Sequence, residues 1–447
     1  MTHAFKSILI CVSLLLSCAA GARDIYVDNQ NASANDSNAG TAAAPLRTLT
    51  AGVALANAGD VVIVKAGRYS DPNSTWYSAF TPARSGTQAA PITIRSEPRL
   101  AAVLVPRDFQ TGSRQSTMPA LSIYQKQYIV IDGFKAEGMM KIHHDVMGTA
   151  QHVTIQNCEI QYGSQQGDDP SLNWGLAIHV SNNNVLRNNR IYNMRSSGNN
   201  SENTGAVMNF ASAYNLIENN DADAGNGIVY SAFGQKAGNI HDNVWRKNIA
   251  RNAVAGFEGK GGTGGDSFCD NETFYNNIII NSERAFSLNH NSRHWKVYNN
   301  TAYNVDYFLN QWQLNSVDNQ FWNNLVVSAS NSVYQIEDLT TSNFGPYISY
   351  SNYNFLMSSA SQFARWSYGG SSLSLAQWRT TTGMDANTLT GDALFVNAAG
   401  NNFKLQSGSP AIGKGRNAEN IGAYATGNET IGVSLGVRPN PPVVAVN

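Results

Sequence analysis

The sequence predicts an all-β chain wound as a parallel β-solenoid, and three observations carry that prediction. A short unit recurs along the chain, the composition favours strands and turns over helices, and a capping helix can be read ahead of the first coil. The unit is an apolar alternation followed by a polar pair rich in Asn. It appears as Ile155-Gln156-Asn157-Cys158, Leu186-Arg187-Asn188-Asn189, Ile217-Glu218-Asn219-Asn220, Trp245-Arg246-Lys247-Asn248, Phe274-Tyr275-Asn276-Asn277, Val297-Tyr298-Asn299-Asn300 and Phe321-Trp322-Asn323-Asn324. The last residues of successive units lie 31, 31, 28, 29, 23 and 24 apart. A period of two to three dozen residues with alternation inside each unit is the pattern of stacked coils that each contribute several short strands.

An Asn column has a physical use in such a stack. Amides placed rung over rung can bond to one another and to turn backbone, satisfying groups that the coil would bury. Cys158 takes that column's place in its own coil and is expected to act as a small buried hydrophobe. Cys269 lies four coils further on, about 19 Å away at one rung per 4.8 Å, so no disulfide is expected between them.

Composition points the same way. Of 447 residues 42% are hydrophobic and only 14% charged, with 38 Gly and roughly 50 Asn, several times the usual share. Coiled coils and helical bundles draw on Ala, Glu, Lys, Leu and Arg, whereas Asn and Gly favour turns. Lys and Arg total 30 against 31 Asp and Glu, a formal charge of −1, which argues against a nucleic-acid binder driven by phosphate neutralisation.

The ends complete the organisation. Residues 1–22 read as a signal peptide, with Lys6 before an apolar run too short to span a bilayer. Ala20-Gly21-Ala22 would release a secreted or periplasmic protein beginning at Arg23. Leu15-Leu16-Ser17-Cys18 instead resembles a lipobox, which would anchor an outer-membrane lipoprotein through Cys18. No later segment is long and apolar enough for a membrane span. A β-helix domain is expected over 23–426 and a tail over 427–447, the whole acting as a monomer. Segment 48–58 offers a Thr48 N-cap, helical apolar spacing and a stop at Gly59, suiting a helix that caps the first coil.

Tyr26-Val27-Asp28, Asn35-Asp36-Ser37-Asn38-Ala39-Gly40-Thr41, Pro45-Leu46-Arg47-Thr48-Leu49 and the run Gly59-Asp60-Val61-Val62-Ile63-Val64-Lys65-Ala66-Gly67-Arg68-Tyr69 resemble the opening of secreted right-handed parallel β-helix proteins. Asp392-Ala393-Leu394-Phe395-Val396-Asn397, Phe403-Lys404-Leu405-Gln406 and Ser409-Pro410-Ala411-Ile412-Gly413 resemble their closing coils. The resemblance implies a single-stranded right-handed parallel β-helix. It is less specific for activity, since lyases, hydrolases, epimerases and binding proteins share this architecture.

The strands after the Asn corner are expected at 141–146, 175–180, 205–210, 227–231, 256–260, 285–289 and 307–312. With Phe257 and Phe286 pointing inward, Glu258, Lys260, Ser287 and Asn289 point outward, and Lys260 lies one rung from Asn289. His179, Asn209 and Ser231 would continue a groove, with His143 further off, walled by insertions 163–174, 194–204 and 261–270.

The cluster from Gly256 to Gly262, followed by 284–294, loosely resembles the site of β-helical polysaccharide lyases. That resemblance implies Lys260 as base with Arg284 or Arg293 as partner on an acidic, uronic-acid-containing polysaccharide. The family's full acidic calcium pattern and its Arg at a fixed strand position are not found. Such chemistry is β-elimination: a uronate's C5 proton leaves only when the adjacent carboxylate is neutralised by a cation, while a neutral side chain takes the proton. Glu258, two positions from Lys260, would keep that amine charged unless it binds a cation such as calcium. If Glu258 and Lys260 are instead an ion pair, His179 or His290 becomes the better base and Lys260 the neutraliser. Asn209, Ser231, Asn289, Arg293 and Trp312 are candidate substrate contacts. Each has a plainer alternative: surface ion pairing for Lys260, turn capping for Arg284, and buried packing for Trp174, Trp295 and Trp312. A uronan epimerase, a glycoside hydrolase and a non-catalytic glycan-binding solenoid remain alternatives on the same scaffold.

Overall fold

The computed structural model describes residues 21–433, apart from 110, 112–115, 147, 167–168, 195–203, 235–238, 263–266, 313–314, 337–346, 358–361 and 367–371. Most of the expected leader, with Cys18, and most of the tail lie outside the described residues. The chain is a right-handed parallel β-helix. Its first face is a twelve-stranded parallel sheet running from Asp24–Val27 to Ile348–Asn352. A second sheet of twenty strands bends to make two further faces. In the long strands Ile249–Lys260, Ile278–Asn289 and Thr301–Trp312 the bend falls at Asn252, Asn281 and Asn304, all with φ between 50 and 55°. Asn tolerates this left-handed backbone better than other residues that carry a Cβ.

The Asn pair between the first and second faces divides two tasks. Its first member turns the corner at positive φ, as Asn188, Asn219, Asn276, Asn299 and Asn323 do. Its second member is buried and forms the expected ladder. The side-chain oxygens of Asn220, Asn248, Asn277, Asn300, Asn324 and Asn354 each accept the backbone N–H of the ladder residue one coil earlier, at 2.9–3.1 Å. Each Nδ2 also donates to a carbonyl of the preceding coil, for instance Asn248 to Ile217 at 2.9 Å. Cys158 stands at the ladder's start, fully buried, its N–H donating to Asn189, and both described cysteines are free thiols.

Inward residues fill the tube with aromatic stacks. Tyr230, Phe257 and Phe286 lie ring on ring at 4.8 and 5.4 Å. Gly259 is obligatory here, because a Cβ at that point would stand 1.9 Å from the Trp295 ring. The N-terminal end is closed by the expected helix, at Leu49–Leu55, whose Thr48 side chain accepts from the Ala51 N–H. It stops four residues before Gly59. A second helix, Leu375–Thr382, buries Trp378 and carries a Ser374/Gln377 capping box and a left-handed Gly383. Residues near the C-terminus fold back over the second face, where Phe403 and Ala423 pack with Ile278 and Ile280. The chain is still packed at Gly432, whose N–H donates to Lys247 O.

The outer side of the third face carries two parallel columns. One reads Ser122, Lys141, Ala177, Met208, Ser231, Glu258, Ser287, Asn310, Gln335 and Arg365. The other reads Tyr124, His143, His179, Phe210, Phe233, Lys260, Asn289 and Trp312. The imidazoles of His143 and His179 are 4.6 Å apart, and His179 stacks on Phe210 at 4.6 Å. Burial pushes both histidines down to about 3, helped for His143 by the Lys141 charge and for His179 by His143.

Two outcomes are expected from this architecture. Asn248→Ala leaves the Asn220 N–H without its buried acceptor and Ile217 O without its donor. It should cost about 3 kcal/mol in denaturant unfolding, and a loss below about 0.5 kcal/mol would count against the ladder as a structural support. Histidines held neutral in the folded state but charging near 6.5 when unfolded give stability that is complete above about 6.5 and lost as pH falls toward 3. Replacing both by Phe should flatten the fall of Tm with acid over that window. An unchanged slope would remove the pair as its cause.

Candidate functional site

The strand register sets which candidates can act together. Lys260 pairs directly with Asn289, as expected, and its ammonium lies 5.6 Å from the Phe233 ring centroid. Glu258 is 7% exposed and accepts a hydrogen bond from Asn289 Nδ2 at 2.7 Å. His290 follows Asn289 in a left-handed turn, where its carbonyl accepts the Gly261 N–H at 2.7 Å. Burial, assisted by the positive charge of Lys260, lowers the His290 pKa below its usual 6.5. Lys260, Asn289, His290 and Glu258 therefore form one cluster on adjoining coils.

Three other candidates stand elsewhere. Arg284 pairs with Ala255, not Lys260. That puts it five residues back along the strand, about 17 Å from the Lys260 rung, where it contacts Glu283 at 3.1 Å. Coil lengths vary from 23 to 31 residues, so the 24 residues from Lys260 to Arg284 do not bring one above the other. His179 is three rungs from Lys260, about 14 Å. Arg293 pairs with Asp270 at 3.0 Å and lies over the Phe268 ring at 3.6 Å, while His294 bonds the other Asp270 oxygen.

Asn209 does not face outward. It continues the inward column of Ile178, Ala232 and Gly259, fully buried, with its oxygen accepting from Asn215 Nδ2 at 3.2 Å. An amide partner six residues later lets a polar residue occupy an inward site that its type alone would not suggest. Ser231 does lie in the outward column, one rung before Glu258. Trp312 follows Asn289 in register, and its side chain falls outside the described residues. Trp295 is fully buried, and Trp174 packs at 5% exposure against Met139, Ala177 and Met208.

The residues that sequence reasoning missed are Lys141, Phe210 and Phe233. Lys141 is 1% exposed, and burial pushes its pKa down to about 7. Its Nζ donates to Trp76 O at 2.7 Å and stands 3.9 Å from the centre of the Trp76 ring. The partner comes from 65 residues earlier, with no local motif to announce it. The alternation that placed Lys260 outward places the two phenylalanines outward as well, and was the available signal for them.

Several polar atoms on this outer side are buried with no hydrogen-bond partner: His143 Nδ1, His179 Nδ1, Ser287 Oγ, Asn289 Oδ1 and Gln335 Oε1. Buried polar atoms left unpaired cost stability unless water satisfies them. Calcium takes six to eight oxygens, and among the described residues no three His, Cys, Asp or Glu side chains assemble around Glu258 or anywhere else. Nor is any described helix long and apolar enough to cross a membrane.

A family model described as a protein of unknown function, DUF1565, matches residues 32–82. No curated protein matches the chain. Among solved structures, pectate lyase Pel9A is similar over 90% of this chain and 96% of its own, with 17% identity and a TM-score of 0.56. A rhamnogalacturonan lyase is similar over 84% and 91%, at 14% identity and a TM-score of 0.44. A family 6 polysaccharide lyase from Pseudopedobacter saltans is similar over 87% and 98%, at 13% and 0.43. At these identities the likeness is one of fold, and the chain is a right-handed parallel β-helix of the architecture on which pectate lyase Pel9A is built.

Proposed function

We propose that the chain is a polysaccharide lyase that cleaves a uronic-acid-containing glycan by β-elimination at Lys260 and His290. The observation that carries this reading is the placing of a half-buried cation, Lys260, beside Asn289 and His290 on the adjoining coil, where its charge helps to depress the histidine's pKa. Lys260 would neutralise the uronate carboxylate, making the C5 proton acidic enough to leave. His290, neutral above its lowered pKa, would take that proton as the C5–H bond breaks. The C4–C5 double bond then forms as the C4–O bond breaks, and the proton held by His290 can pass to the departing oxygen. Asn289 donates to one Glu258 oxygen at 2.7 Å, which helps to satisfy that carboxylate within the cluster.

Hydrolysis is less well supported. It calls for two carboxylic acids about 5–10 Å apart, and the two outward columns contain one carboxylate, Glu258. Pel9A acts on pectate, which is consistent with a uronate substrate here.

Incubation with a panel of uronate polymers, with and without added calcium, should give the ultraviolet absorbance of an unsaturated product. New reducing ends without that absorbance would instead favour hydrolysis, and altered uronate composition without cleavage would favour epimerisation. Lys260→Met and His290→Ala should each lower kcat/KM by about 10²- to 10⁴-fold, and full activity in either would sink the assignment. Because the base must be neutral, activity should fall as pH drops through a midpoint below 6.5. In Lys260→Met the His290 titration, read by NMR, should move up toward 6.5.

A further inference from the structure

We propose that the substrate is a mixed glycan, in which the uronate cleaved at Lys260 is joined, on the side facing His179, to neutral sugar units that pack on Phe233, Phe210 and His179. This rests on the lyase reading above and adds the composition of the chain on one side of the reacting unit.

The column that presents Lys260 reads, going back one coil at a time, Phe233, Phe210, His179, His143 and Tyr124. Phe233, Phe210, His179 and Tyr124 are each partly exposed, as Lys260 and Asn289 are, whereas Ser231, Glu258 and Ser287 in the neighbouring column are buried. What this face offers beside Lys260 is therefore aromatic. The rings follow one another without a break, His143 to His179 at 4.6 Å, His179 to Phe210 at 4.6 Å and Phe210 to Phe233 at 5.7 Å. Lys260 ends the run, its ammonium 5.6 Å from the Phe233 ring centre. Tyr77, 50% exposed, adds a ring 5.1 Å from His143 at the other end.

Charge along the stripe does not suit an anion. Burial pushes His179 and His143 down to about 3, so neither is positive at neutral pH. Lys141 does not replace them, since it is 1% exposed and its ammonium is bonded to the carbonyl of Trp76, on a strap of chain that lies against it. A carboxylate, in contrast, does reach solvent there. Asp145 is 46% exposed, accepts from Tyr124 Oη and Gln125 Nε2, and stands 3.6 Å from His143 Nε2.

A rung rises about 4.8 Å, close to the length of one pyranose unit, so the units beside the reacting one fall on Phe233, Phe210 and His179 in turn. A carboxylate laid on a phenyl ring gives up water and gains no hydrogen bond, which costs free energy. The C–H face of a neutral sugar gains from the same surface. In a uronate homopolymer, a half-turn at each unit would still bring every second carboxylate back to this face, onto Phe210 when the first is at Lys260. Neutral neighbours escape that cost, and Lys260 then selects the one uronate to be cleaved.

The test compares formation of unsaturated product from homopolymers of galacturonate, mannuronate and guluronate with that from polymers alternating a uronate with a neutral deoxyhexose or N-acetylhexosamine. The better alternating polymer should be cleaved with a kcat/KM about tenfold or more above the best homopolymer. Phe210→Lys, which puts a cation two rungs from Lys260, should narrow that preference about threefold or more. Phe233→Gln, at a partly exposed position, should raise KM more on the alternating polymer than on a homopolymer, and carries the test if Phe210→Lys does not fold. A homopolymer cleaved as well as the alternating polymers would overturn the mixed-glycan assignment while leaving the lyase reading intact. A preference unchanged in the folded variants would overturn the rings as its cause. Absence of unsaturated product from every polymer would overturn the lyase reading and this inference with it.

Discussion

The amide ladder at the corner between the first and second faces is the constraint on which the rest of the molecule depends. Each coil must turn sharply there, and a sharp turn buries backbone N–H groups with no strand neighbour to accept from them. The Asn oxygens supply that acceptor from the next coil, and the Asn Nδ2 groups reach carbonyls of the coil before. A ladder residue is thus bonded to the coils above and below, and a slip of one coil against its neighbour would break several buried bonds together. Register on the third face follows this lock, since the outer residues there vary from Ala to Trp and repeat no pattern of their own.

With register fixed, chemistry can be placed on the outer side one rung at a time. Lys260 meets Asn289 because the coils are locked, even though one coil spends 29 residues returning to the ladder and the next 23. The variable part of each coil is taken up in the connections, between the second and third faces after Tyr192 and between the third and first faces after Phe233 and Lys260, where length can change without disturbing the tube. The inward side behaves oppositely. Gly259 is held by the Trp295 ring, so the strand that presents Lys260 has no freedom to shift sideways.

The same logic explains what could be read from the residues alone. The fold, the Cys158 position and the Lys260–Asn289 pairing follow from local alternation plus the spacing of the Asn units, and the helical cap from Thr48 and the helical apolar spacing after it. Arg284 was misplaced because counting residues treats every coil as equal, whereas register is measured from the ladder. Asn209 was misplaced because its burial depends on Asn215, a contact across a turn that alternation does not encode. Lys141 was overlooked because its environment is made by a strap 65 residues away. The helix Leu375–Thr382 had a legible signature in Ser374, Gln377 and Gly383 and was passed over amid the surrounding strand pattern.

The near-zero net charge acquires a meaning from this placement. Three cations lie in the two outward columns: Lys141, Lys260 and Arg365. Lys141 is sealed under Trp76, where burial lowers its affinity for a proton, and it is withdrawn from any anionic chain. The two that remain are about 19 Å apart, with neutral polar residues between them. The uronate polymer of the proposed reading would then be charge-matched at the reacting unit and once more downstream. On the proposed lyase reading, concentrating the positive charge at one unit serves the elimination step, because neutralisation there is needed most as the C5 proton leaves.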